Sequence, residues 1–172
     1  MAMKKISVLF IVVLAFIQMN AFAQEDIPAY RARGYKANVS YTNLGLLWNG
    51  VETSHGYMFN DRFYVGGGAG LMLGALGQPV YTVQGFADAM AYWFPRKSTL
   101  TTGVRVGYIK NFSGDDLFHA DVTVGWSWGL PSGHGLSANI GLSGSRGMSI
   151  IAIDLISLSL SLAPVLSVAY EF

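Results

Sequence analysis

Apolar and polar residues alternate one by one along most of this chain. Val122, Val124, Trp126, Trp128 and Leu130 share one parity, and Asp121, Thr123, Gly125, Ser127 and Gly129 share the other. The C-terminus repeats the rhythm: Leu158, Leu160, Leu162, Pro164, Leu166, Val168, Tyr170 and Phe172 alternate with Ser159, Ser161, Ala163, Val165, Ser167, Ala169 and Glu171. Period two marks strands, because successive side chains leave a strand on opposite faces, whereas positions i, i+2 and i+4 share no helix face. The pattern predicts strands over 34–42, 46–59, 63–74, 81–94, 100–111, 117–130, 136–145 and 157–172. Short polar connections fall at Asn60-Asp61-Arg62, Arg96-Lys97-Ser98-Thr99 and Pro131-Ser132-Gly133-His134-Gly135, and the alternate ones near 43–45, 75–80, 112–116 and 146–156. Met148–Ile153 carries no turn chemistry and reads either as a loop or as an extension of the last two strands.

Composition decides which face is buried. Charged residues are 12% of the chain while hydrophobic ones are 52%. A water-soluble sandwich or lipocalin would carry charge on its wet face. Here the polar parity is mostly Ser, Thr, Gly, Asn and Gln, which suits a narrow lumen with the apolar parity turned outward to lipid. The expected fold is all-β, a transmembrane antiparallel up-and-down β-barrel. Membrane strands of about ten residues leave about 59 residues of 34–172 for connections if there are eight strands, and about 39 if there are ten. The turn pattern favours eight. Tyr57, Phe59, Phe63, Trp93, Trp126, Trp128 and Phe172 cluster beside the short turns, and Tyr41, Tyr81 and Tyr108 near the opposite ends, as girdles at two interfaces would.

The N-terminus breaks the pattern. Lys4 and Lys5, the apolar run Ile6–Ile17 and Ala21-Phe22-Ala23 form the three parts of a secretory signal peptide over 1–23. The run is too short to span a bilayer as a helix. Residues 24–33 read as a short polar tail and 34–172 as the barrel. Removing Lys4 and Lys5 turns a net charge of +1 slightly negative, and no basic stripe invites nucleic acid. Zero cysteines exclude both a disulfide scaffold and a lipoprotein anchor.

Lys36, Glu52, Asp88, Arg105, His119, Asp121 and Glu171 fall on inward parities and form a candidate polar network in the lumen. Counting back from the turn at 96–99 sets Asp88 opposite or diagonal to Arg105, an expected ion pair. Closure of eight strands would set Lys36 beside Glu171 at the mouth nearest the chain ends.

The ending Tyr170-Glu171-Phe172, a strand closing on a terminal Phe, resembles the insertion signal of bacterial outer-membrane barrels. Thr53–Asn60, Phe63–Gly70 and Gly85-Phe86-Ala87-Asp88 resemble small porin-like or outer-membrane β-barrel domains over roughly 34–172. The resemblance implies a multi-pass location in the outer membrane of a Gram-negative bacterium, with Tyr170 and Phe172 read by the barrel-insertion machinery. The implied partners are outer-membrane lipid, that machinery and periplasmic chaperones, with the mature protein a monomer.

Other chemistry is thin. Gly66-Gly67-Gly68-Ala69-Gly70 lacks the Lys-Ser/Thr of a phosphate loop and sits inside a strand, so it reads as lumen glycines. Ser54 and His55 point to opposite faces and cannot pair, no serine can be set beside His119, and His134 lies in a turn. The three histidines lie on separate elements, and Asp115-Asp116 supplies too few oxygens for Ca²⁺, so no metal or cofactor is expected. Three functions stay open: a structural or surface-interaction barrel with a side-chain-filled lumen, a small-solute channel, and a lipid-modifying enzyme. An eight-stranded interior is just wide enough for side chains to fill, which favours the first over an open channel, and the lack of a placeable serine–histidine pair favours a non-enzymatic role.

Overall fold

The structure, a computed structural model, describes residues 28–45, 48–74, 80–112, 116–147 and 161–172. Eight antiparallel strands follow in chain order: β1 Gly34–Leu44, β2 Trp48–Met58, β3 Phe63–Gly74, β4 Val80–Tyr92, β5 Ser98–Asn111, β6 Leu117–Gly129, β7 Gly135–Gly147 and β8 Ser161–Glu171. Each pairs with the next, and β1 also pairs with β8, so the sheet is a closed barrel with no free edge. The ten-strand alternative is excluded by this pairing. The signal peptide 1–23, residues 24–27, and 157–160 of the last predicted strand lie outside the described residues.

Barrel closure follows the parity of the sequence. On the inward parity of β6, His119, Asp121 and Ser127 are buried, while outward Val122 is 64% exposed. The same holds round the wall, with Tyr35, Leu71, Val106, Leu142 and Leu162 all turned out. Apolar outside and polar inside is the inverse of a water-soluble protein and the pattern of a transmembrane barrel.

Both barrel termini and the three tight connections share one end, called here the terminus end; the opposite end is the loop end. Asn60 Oδ1 accepts the N–H groups of Arg62 and Phe63 at 2.9 Å each and closes the first turn. The second turn is shifted from its predicted place. Ser98 and Thr99 belong to β5, and the turn spans 93–97, because the Thr99 hydroxyl accepts the Phe94 N–H at 2.8 Å and draws that segment into the ladder. In the third, Gly133 takes φ +80°, a conformation side chains disfavour.

The glycine run lies on β3, where Gly66 and Gly68 face the lumen. A Cβ on Gly68 would collide with the Thr53 carbonyl and the Phe86 ring. Its absence lets large inward side chains from β4 fill a narrow bore. Towards the terminus end Met58, Tyr64 and Tyr92 form an apolar cluster, with Met90 packed against them.

Candidate functional site

The functional candidate is the lumen, where the inward residues tie the walls together at two levels. At the terminus end Lys36 Nζ donates to Glu171 Oε2 at 3.2 Å, with both side chains almost fully buried. Glu171 does not lie directly across from Lys36; its Cα partner is Asn38, so the pair is diagonal. The same oxygen accepts the hydroxyls of Tyr92 and Ser127, each at 3.3 Å. Three donors are what a buried carboxylate needs if pairing is to offset its lost hydration. Lys36 is further held by rings, its Nζ lying 4.2 Å from the centroid of Tyr92, 5.3 Å from Tyr64 and 5.4 Å from Tyr30.

Tyr30 is not part of the barrel wall. Residues 28–33, within the predicted polar tail, fold into the mouth, with a 3-10 turn at Ala29–Arg31. Tyr30 N–H donates to the Gly133 carbonyl at 3.3 Å, and its hydroxyl meets Ser127 Oγ at 2.9 Å. Because the Ser127 proton goes to Glu171, Tyr30 donates to Ser127, giving a relay from the inserted segment to the closing ion pair. The barrel leaves space for it: a Cβ on Gly135 would collide with the Tyr30 ring and hydroxyl. Burial, reinforced by the charge of Glu171, pushes the Tyr30 phenol up to about 12. Arg31 is fully buried beside it, over the Tyr92 ring, with Nη1 donating to the Phe94 carbonyl at 3.4 Å.

At mid-lumen the expected Asp88–Arg105 ion pair is replaced by another. The two residues are directly opposed on β4 and β5. Yet Arg105 Nη1 donates to Glu52 Oε2 at 2.7 Å, while its guanidinium stacks 4.0 Å from the Phe86 ring centroid. The reason is reach: across so narrow a bore the facing wall is as close as the neighbouring strand. Gln84 supplies the other oxygen of Glu52 with an N–H at 2.5 Å. Asp88 instead accepts the Ser54 hydroxyl at 2.9 and 3.1 Å, and Tyr64 donates to Ser54 at 2.6 Å. A tyrosine–serine–carboxylate relay thus occurs twice in the lumen.

His119 and Asp121 both face inward on β6, 3.1 Å apart through Nδ1, and the His119 Nε2 has no partner among the described residues. His55 lies on the outer face. The Thr53 proton goes to the Asn38 carbonyl, so His55 Nε2 donates to Thr53 Oγ1 at 2.9 Å and Nδ1 accepts the Tyr35 hydroxyl at 2.5 Å. No group of three potential metal ligands occurs among the described residues.

Open space in the lumen is small. A cavity of about 50 Å³ lies between Asp88, Arg105, Asp121, Asn139, Thr42 and Ser167, room for a few waters. Towards the loop end, a cup of about 230 Å³ is lined by Leu44, Trp48, Met72, Thr82, Ile109 and Leu117. Tyr170 and Phe172, the residues of the implied insertion signal, sit at the terminus end facing outward, with Phe172 exchanging backbone hydrogen bonds with Ala37 at 2.8 and 2.9 Å.

No family model and no curated protein matches this chain. Among solved structures it is similar to the N-terminal β-barrel domain of Pseudomonas aeruginosa OprF, at 13% identity over 82% of this chain and 98% of that one, with a TM-score of 0.48. It is also similar to a de novo designed transmembrane β-barrel, at 13% identity over 82% of this chain and 97% of that one, with a TM-score of 0.43. The eight-stranded closure stands on this chain's own strand pairing.

The inserted segment is the part sequence reasoning missed. A three-residue turn has no period to detect. The signal that could have found it is an aromatic and a cation, Tyr30-Arg31, ahead of β1, paired with the glycines around 133–135 that leave room for them.

Proposed function

We propose that this chain is an integral outer-membrane β-barrel protein with a structural or surface-interaction role and a lumen closed to solutes. The observation that carries this reading is two ion pairs in the lumen, one between the adjacent strands β1 and β8 and one across the bore. Lys36–Glu171, plugged by Tyr30 and Arg31, closes the terminus end, and Glu52–Arg105 crosses the middle. An open channel would require Tyr30 and Arg31 to leave the mouth and the Glu52–Arg105 pair to separate, which costs several kcal/mol for each ion left unpaired.

The outward apolar belt supports a bilayer as the surroundings. Soluble monomers rarely expose contiguous apolar patches beyond a few hundred Å². The proposed partners are membrane lipid and, during biogenesis, periplasmic chaperones and the insertion machinery reading Tyr170 and Phe172. The barrel acts as a monomer, binds no nucleic acid, and has no catalytic role.

Planar-bilayer recording of the refolded protein tests the reading. The expected trace has no stable unitary conductance. A reproducible open-channel step would overturn it in favour of a small-solute channel.

A further inference from the structure

The outer wall carries one feature that its closed lumen does not use. Among the described outward-facing strand positions, the charged side chains are Lys110 on β5 and Arg146 on β7. Both are basic and both lie towards the loop end. Register places Arg146 in the wall of a groove and Lys110 one row above that groove, towards the loop end. Gly85, Tyr108, Phe118 and Arg146 form one row across β4 to β7, and Ala87, Val106, Ala120 and Gly144 form the next row towards the terminus end. Small residues dominate the second row, so the wall is recessed there. The recess is an open groove of about 710 Å³, with Tyr108 and Phe118 packed edge to face at 5.2 Å at its head.

Charge makes this groove unlike its neighbours. Two other shallow grooves on the wall, one around Val124 and Ile140 and one around Val51 and Leu71, are lined by no charged residue. Lys110 donates to Asp116 at 2.8 Å, and Asp116 also accepts the Tyr108 hydroxyl. An ammonium has three donors, so this contact leaves two of them available, and the Lys110 side chain is half exposed. Arg146 is exposed and has no ion-paired or hydrogen-bonded partner among the described residues. Two strand spacings and two residues separate their Cα atoms, roughly 12 Å, a gap two long side chains can close on one group.

We propose that this groove seats one anionic phospholipid, its phosphate held by Arg146 and Lys110 and one acyl chain lying over Ala87, Ala120 and Gly144. The inference rests on the membrane reading above. The bilayer supplies the occupant, and the order along the wall, Lys110, then the row of Arg146 with Tyr108 and Phe118, then small apolar residues, follows a lipid from headgroup to chain. Arginine matches phosphate oxygens in a planar fork, and the recess gives the chain more contact than a flat wall does.

Native mass spectrometry of the protein refolded in detergent tests it, with phosphatidylglycerol and phosphatidylcholine of identical chains, and inorganic phosphate in a separate arm. The wild type is expected to retain one phosphatidylglycerol at least threefold more strongly than phosphatidylcholine. Arg146→Gln with Lys110→Gln should erase that preference. Ala120→Leu, which fills the groove without touching the charges, should lower retention of both lipids. Equal retention of the two lipids by the wild type, an unchanged preference in the double variant, or full displacement by equimolar inorganic phosphate would each overturn the site. An unheated-versus-boiled shift in detergent gels, run on every variant, reports barrel formation. A wild type that shifts but shows no lipid preference refutes the site and spares the membrane reading. A wild type with no shift refutes both.

Discussion

Arg105 faces Asp88 directly across the β4–β5 ladder, yet its guanidinium is bonded to Glu52, three strands away, at 2.7 Å. The carboxylate opposite it is served by Ser54 instead. The charges of this lumen therefore join opposite walls as well as neighbouring strands.

Replacing Arg105 with Met is expected to lower stability by about 3 kcal/mol, because it leaves the carboxylate of Glu52 buried with Gln84 as its remaining side-chain partner. Glu52→Gln in that background should recover most of the loss, since it removes the orphaned charge. Asp88→Asn should recover little. Urea unfolding in detergent micelles, followed by tryptophan fluorescence, separates the two rescues.

Closure between β1 and β8 predicts a crosslink. Asn38 and Glu171 are Cα partners and both face the lumen, whereas Lys36 is offset by two residues. Cysteines at 38 and 171 should oxidise to a disulfide in the folded protein, since directly opposed antiparallel residues lie within the roughly 7 Å that the bond requires. With no native cysteine to compete, mass spectrometry under non-reducing conditions reads the result directly. A 36/171 pair should oxidise less completely.

The inserted segment predicts a protease pattern. Arg31 is fully buried while Arg33 is exposed, so trypsin should leave the bond after Arg31 intact in the wild type. Gly135→Val puts a side chain where the Tyr30 ring lies and should expel the segment. Cleavage after Arg31, identified by peptide mass, should then appear without loss of the barrel itself.

The same segment should carry an alkaline signature. Tyr30 is raised from its ordinary 10.0 to about 12 by burial first and by Glu171 second. The folded state therefore holds the proton more tightly than the unfolded chain. Its contribution is complete below pH 10 and is lost as the pH rises through about 12. Tyr30→Phe cannot ionise, so between pH 10 and 12 the variant should lose less stability than the wild type. Chemical unfolding at several pH values in that window checks the sign.

Much of this protein is written in its parity. Alternation alone assigned each side chain of β6 to wall or lumen, because a strand has two faces and the residue number decides between them. Low charge on the polar parity told which face met lipid, and the seven connections between alternating stretches set the strand number. Counting from a tight turn even placed Arg105 opposite or diagonal to Asp88, since a hairpin's register is fixed by its loop. What parity does not encode is distance across the bore. Whether Arg105 reaches Asp88 or Glu52 depends on how far the facing wall lies, and that follows from closing eight tilted strands and from glycines such as Gly68 that let Phe86 cross the interior. The seating of Tyr30 against Gly133 and Gly135 is decided the same way, by a contact between residues about a hundred positions apart in the chain. Periodicity is a property of neighbours in sequence, and these contacts exist only after the sheet has closed on itself.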